Sequence, residues 1–118
     1  MPKKVLAVIE DLFFTVKINE AAKHAGLTAE FVRSEIDAIE RAKLQPSVIV
    51  IDLNCAAIDP LRLIGELKVT GIPLLGFVSH VQGELKQKAQ EAGCNMVLAR
   101  SAFSQNMQQI FKRYAGTT

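Results

Sequence analysis

The sequence predicts an α/β fold, a doubly wound parallel sheet with helices on both faces. Three observations carry this reading. Apolar runs of strand length alternate with segments whose apolar residues recur at helical spacing. The runs Val5-Leu6-Ala7-Val8-Ile9 and Val48-Ile49-Val50-Ile51 are uninterrupted, as strands buried on both faces are. Acidic residues follow both runs directly, Glu10 and Asp11 after the first and Asp52 after the second, at the strand ends where such sheets place ligand sites.

Each element has its own signal. After the first strand, Phe14, Ile18, Ala21 and Ala25 line one face of a helix that Gly26 can close in a left-handed cap. Glu30 to Ser34 gives a weaker second strand, and Ile36, Ile39 and Ala42 a brief amphipathic helix ending before Pro46. The third strand is Val48 to Ile51. Leu61, Ile64 and Leu67 then share a helical face, with Pro60 suited to the first turn and a stop near Gly71. Pro73 introduces a fourth strand, Leu74 to Val78, because its missing amide donor is tolerable at a strand start. Val81, Leu85, Ala89 and Ala92 trace a helix to Gly93, and Met96 to Ala99 forms a short last strand. Phe103, Met107, Ile110, Phe111 and Tyr114 mark the closing helix, with Ser101 or Ser104 available as its cap. The sum is five strands and five helices in one domain over 1–118.

Composition narrows the function classes. With 49% hydrophobic residues in 118, the chain can build a core without staples. Fourteen basic against 12 acidic residues leave a formal charge of +2, with the lysines dispersed, so neither nucleic acid nor an anionic membrane is called for. No run approaches the roughly 20 apolar residues of a membrane span. The opening Met1-Pro2-Lys3-Lys4 lacks a secretory segment, and Cys55 and Cys94 lack metal-ligand spacing, so reduced thiols in a cytoplasmic protein are expected.

The chemistry lies at the strand ends: Glu10, Asp11, Asp52, Ser79 after the fourth strand and Arg100 after the fifth. Clustered carboxylates repel one another unless a cation neutralises them, and hard oxygen donors suit Mg²⁺. A carboxylate so placed can also accept a phosphoryl group, with Ser79 and Arg100 holding its oxygens. Each residue has a plainer reading as well. Ser79 could simply cap the next helix, and Arg100 could be a structural partner of the acids. His80 reads as a surface residue, and His24 suits a helix end.

In the order of its elements, across essentially the whole chain, this pattern resembles the receiver domains of two-component response regulators. The family's acid pair corresponds to Glu10 and Asp11 and its phosphoacceptor to Asp52. Asn54 stands where a backbone carbonyl completes the metal shell, and Ser79 is the switch hydroxyl. The resemblance implies a flavodoxin-like receiver fold, a five-stranded parallel sheet ordered 2-1-3-4-5 and flanked by five helices, with no output domain visible. It implies Mg²⁺ on Glu10, Asp11, Asp52 and the Asn54 carbonyl. It also implies a phosphoryl group passed to Asp52 by a histidine kinase or phosphotransfer protein, a downstream protein partner, and homodimerisation as an option. Such a protein is a signalling module rather than an enzyme.

The chain departs from the family pattern at the switch. Arg100 replaces a lysine, Ser101 a proline and Val97 an aromatic residue, while the loop after Asp52 lacks its usual proline and carries Pro60 in place of glycine. One charge-assisted hydrogen bond contributes roughly 1.5 to 3 kcal/mol, the same order as an allosteric coupling of roughly 1 to 3 kcal/mol. The expectation is therefore an atypical receiver in which metal binding and phosphorylation outlast the usual hydroxyl-to-aromatic relay. The alternative is a pseudo-receiver that is never phosphorylated and works as a protein-interaction module. A flavin or cobalamin protein fits worse, because the loop after the first strand is acidic and apolar and would repel a bare phosphate.

Overall fold

Alternating strand and helix signals resolve into alternating strands and helices. The computed structural model describes residues 3–79 and 83–115. They run as β1 (Lys4–Val8), α1 (Leu12–His24), β2 (Thr28–Val32), α2 (Glu35–Ala42), β3 (Val48–Asp52), α3 (Pro60–Leu67), β4 (Leu74–Val78), α4 (Gly83–Ala92), β5 (Met96–Ala99) and α5 (Arg100–Tyr114). All strand pairs are parallel, in the order β2-β1-β3-β4-β5. The order reverses between β1 and β3, which puts the crevice for a ligand at their carboxyl ends.

Strand alternation divides the core in two. Leu6, Val8, Ile49, Ile51, Leu74 and Val97 meet α2, α3 and α4 on one face. Val5, Ala7, Val48, Val50, Leu75 and Phe77 meet α1 and α5 on the other. Every residue of β3 and β4 is buried, which is why both read as continuous apolar runs.

β4 and β5 have the expected bounds, and β3 extends one residue further to take in Asp52. The second strand starts two residues earlier than expected, at Thr28. The reason is the turn before it. Gly26, at φ +82°, ends α1 in a Schellman motif, its amide donating to Lys23 O and that of Leu27 to Ala22 O at 2.8 Å. Leu27 drops into the core, and the Thr28 amide joins Lys3 O at once. Ser34, expected inside the strand, instead caps α2 by accepting from the Asp37 amide at 3.1 Å.

The start of α5 is a second correction. Neither Ser101 nor Ser104 caps it. The chain passes from Ala99, the end of β5, straight into Arg100, so Ala99 takes the cap position without a side-chain bond. Ser104 lies a turn into the helix and accepts from Lys17 Nζ at 3.0 Å. Val81 and His80 lie outside the described residues. Among the described residues no helix is long and apolar enough to cross a membrane.

A Cβ added at Gly26 would meet nothing within 4 Å, so substitution there costs backbone conformation alone. Gly26→Ala is expected to lower unfolding free energy by about 1 kcal/mol, with Gly26→Asn milder and Gly26→Val worse, in urea denaturation. Equal effects of all three would refute the left-handed cap as the cause.

Candidate functional site

Strand alternation assigns Asp52, the last residue of β3, to the α1/α5 face, beside Phe77 of β4 in the sheet register. Phe77 belongs to an aromatic cluster with Phe14 and Phe103, at ring-centroid distances of 4.9 Å from Phe14 and 5.3 Å from Phe103. The Arg100 guanidinium lies 4.5 Å over the Phe14 ring, a cation on an aromatic face. The site therefore has an apolar floor and a charged rim.

Asp11 joins the rim to α1. Its Oδ1 accepts from the Phe13 amide at 2.9 Å and the Phe14 amide at 3.2 Å, capping the helix where the chain leaves β1. Its Oδ2 accepts from Arg100 Nη2. Partial desolvation pushes the Asp11 carboxyl upward, but the Arg100 hydrogen bond, the two amides and the guanidinium charge outweigh it and hold the group below its ordinary value.

Asp52 is the opposite case. It is the one buried polar or charged residue among the described residues, at 8% exposure. Its Oδ1 accepts from the Asn54 amide at 2.9 Å, and among the described residues its other oxygen has no hydrogen bond. Burial pushes its carboxyl above the ordinary range. The Asn54 amide and Arg100 pull it down, while the charges of Asp11 and Glu10 push it up again. Both neighbouring acids thus act on Asp52.

The remaining residues lock the rim. Glu10 is exposed, and its Oε1 accepts from the Cys55 thiol at 3.3 Å. The Asn54 side-chain oxygen accepts from both the Ser79 amide, at 2.7 Å, and the Ser79 hydroxyl, at 2.8 Å, tying the loop after β3 to the loop after β4. Beside the acids opens a hollow of about 540 Å³ whose lining includes Phe13, Lys17, Ser79, Arg100, Ser101 and Ser104. It offers cations and hydroxyls, and among the described residues no carboxylate lines it.

Glu10, Asp11, Asp52 and the Asn54 carbonyl are the right donor types for Mg²⁺, but their arrangement does not fit it. Asp11 has committed one oxygen to its helix and the other to Arg100, and Glu10 is engaged by Cys55. Among the described residues no three His, Cys, Asp or Glu side chains group so as to hold a metal ion. Of the expected ligands, Asp11 is the one already paired with a guanidinium.

Ser79 and Arg100 both line the adjacent hollow. Two contributors escape sequence reading. Phe14, the platform for Arg100, looks like any core residue of a helix. Cys55, read as inert, is a buried free thiol that fixes Glu10. Both its desolvation and the adjacent acids raise its pKa, opposed by the Ala57 amide, so the thiol is a proton donor here rather than a nucleophile.

The parallel 2-1-3-4-5 sheet has the fold of response-regulator receiver domains. Solved structures of that class superpose over nearly the whole chain. A chemotaxis response regulator of Vibrio cholerae matches at a TM-score of 0.81 and 18% identity, covering 97% of this chain and 99% of that one. The receiver domain of a sensor histidine kinase of Pseudomonas aeruginosa, with a magnesium ion coordinated in its active site cleft, matches at 0.80 and 21%, covering 99% and 100%. A phosphorylated cyanobacterial phytochrome response regulator matches at 0.79 and 20%, covering 100% and 97%. No family model and no curated protein matches the sequence.

Asp52→Asn keeps the shape and the acceptor for the Asn54 amide but removes the buried charge. A carboxyl whose pKa is raised by folding stabilises the fold fully only below its unfolded pKa, and that stability is lost as pH rises through the folded value. The variant should therefore be more stable than the parent at pH 7, by on the order of 1 kcal/mol, and the gain should vanish below the ordinary aspartate value of 3.8. A destabilisation of equal size at both pH values would exclude this account.

Asp11→Ala should show the reverse dependence, since a lowered pKa stabilises above the unfolded value. It should cost about 1 to 2 kcal/mol at pH 7, and less as pH falls through the Asp11 pKa. A cost independent of pH would mean that the cap and the ion pair contribute nothing through charge.

Proposed function

We propose that the chain is a signalling receiver that accepts a phosphoryl group on Asp52 and acts through protein contacts rather than by turning over a substrate. The observation that carries this is a buried carboxylate with no ion pair of its own among the described residues. Carboxylates are seldom buried unpaired, because the desolvation penalty is not returned as stability. Asp52 nevertheless sits at the sheet's switch point with one oxygen oriented by the Asn54 amide and the other without a bond among the described residues.

In the transfer, the unbonded oxygen of Asp52 attacks the phosphorus of a phosphohistidine on a kinase or phosphotransfer protein. The P–O bond forms as the P–N bond breaks. The leaving imidazole nitrogen keeps the electron pair and takes a proton from solvent, so nothing is oxidised or reduced. The new phosphoryl group carries more negative charge than the carboxylate it replaces. Lys17, Arg100 and the Ser79, Ser101 and Ser104 hydroxyls around the adjacent hollow supply positive charge and donors for it. A cytoplasmic location, a downstream protein partner and homodimerisation through the receiver surface belong to the same proposal.

A second reading, an interaction module that is never phosphorylated, draws on two contacts: Arg100 is engaged by Asp11, and the Ser79 hydroxyl by Asn54. The two readings part in one measurement. The protein is incubated with a small acyl-phosphate donor at pH 7 and with a phosphorylated histidine-containing phosphotransfer domain, and its intact mass is then measured. One added phosphoryl group is expected, absent in Asp52→Asn. No adduct with either donor selects the interaction module.

A further inference from the structure

Arg100 supplies the positive charge that the site sets against Asp11 and Asp52. Its guanidinium pairs with Asp11, stacks on Phe14 at 4.5 Å, and its charge lowers the Asp52 carboxyl against the upward push of Asp11 and Glu10. Two-thirds of its side chain is shielded from water, with 33% exposed. On the far flank the Cys55 thiol holds Glu10.

We propose that the Arg100 guanidinium is the resident counter-ion of this site and excludes divalent cations, which gain access only when it leaves Asp11. Three features of the chain support this. Arg100 is covalently tethered at the first residue of α5, directly after β5, so its local concentration far exceeds that of any free ion. A divalent ion would have to take Asp11 Oδ2 from the guanidinium and also lift it from the Phe14 ring, losing an ion pair and a cation–π contact together. Arginine suits the post better than lysine would. Its guanidinium lies over the ring while one of its nitrogens meets the carboxylate, whereas a lysine is a strongly hydrated point charge on a flexible stem that yields more easily to a competing ion.

The inference concerns the same site as the phosphoacceptor reading, but cation binding alone reads it out, so either can fail without the other. Mn²⁺ is titrated into the full chain at pH 7, with free ion followed by electron paramagnetic resonance and folding checked by circular dichroism. Arg100→Gln should bind one Mn²⁺ at least ~10-fold more tightly than the parent. The double variant Arg100→Gln with Asp11→Asn should lose that gain, because the released carboxylate is what the ion takes. Arg100→Lys, which keeps the charge without the stacked fork, should fall between, and it carries the test if the glutamine variant does not fold. A parent that binds Mn²⁺ as tightly as Arg100→Gln and Arg100→Lys, or a gain that survives in the double variant, overturns the proposal.

Discussion

Charge balance at the end of β3 is the constraint on which the site depends. The buried Asp52 carboxylate feels the charges of Asp11 and Glu10, and the Arg100 guanidinium, paired with Asp11, opposes them. The balance is uneven by construction. Asp11 receives the direct ion pair and two backbone amides and is easily ionised; Asp52 receives one amide and the more distant effect of Arg100, and its charge is held at a cost. Environments that push neighbouring carboxyls in opposite directions assign them different work. Asp11 has the surroundings of a structural anion, and under the proposed function Asp52 is the reactive one.

The fold creates this inequality without special backbone geometry. Parallel strands deliver side chains to one edge of the sheet, and the reversal of strand order between β1 and β3 leaves room there. The aromatic cluster of Phe14, Phe77 and Phe103 then fixes the floor. Since Phe103 and Arg100 share α5 while Phe14 and Asp11 share α1, packing of these rings sets the distance between the two charges they carry. Removing a ring from the cluster would thus disturb the ion pair as well as the core.

What the sequence displays and what it hides follow from the same physics. β1, β3 and β4 are legible because burial on two faces demands unbroken apolar runs, and the acids stand out because they end two of those runs. β2 is an edge strand with only Val32 buried, so its signal is weak and its start shifts to Thr28. The pairing of Arg100 with Asp11 joins residues 89 positions apart, and that of Cys55 with Glu10 residues 45 apart. No local periodicity encodes either contact. The residue types at the site are therefore legible, whereas the pairing of Asp11 with a guanidinium depends on side-chain placement.

That choice bears on how a signal could leave the site. Val97 is buried at 3% exposure on the face opposite α5, packed with α3 and α4, and its small branched side chain has no alternative outward position to occupy as an aromatic ring would. A relay from Ser79 to a swinging ring at this point of β5 has no moving part. Arg100 does have two competing positions: on Asp11, where it stands, and toward a phosphoryl group on Asp52, whose added charge would draw it. Because Arg100 is the first residue of α5 and rests on a ring of α1, such a move would act on the contact between those two helices. Under the proposed function, the α1/α5 side of the molecule is where phosphorylation would be felt, and the Ser79 to Asn54 latch would have to open for the serine hydroxyl to join it.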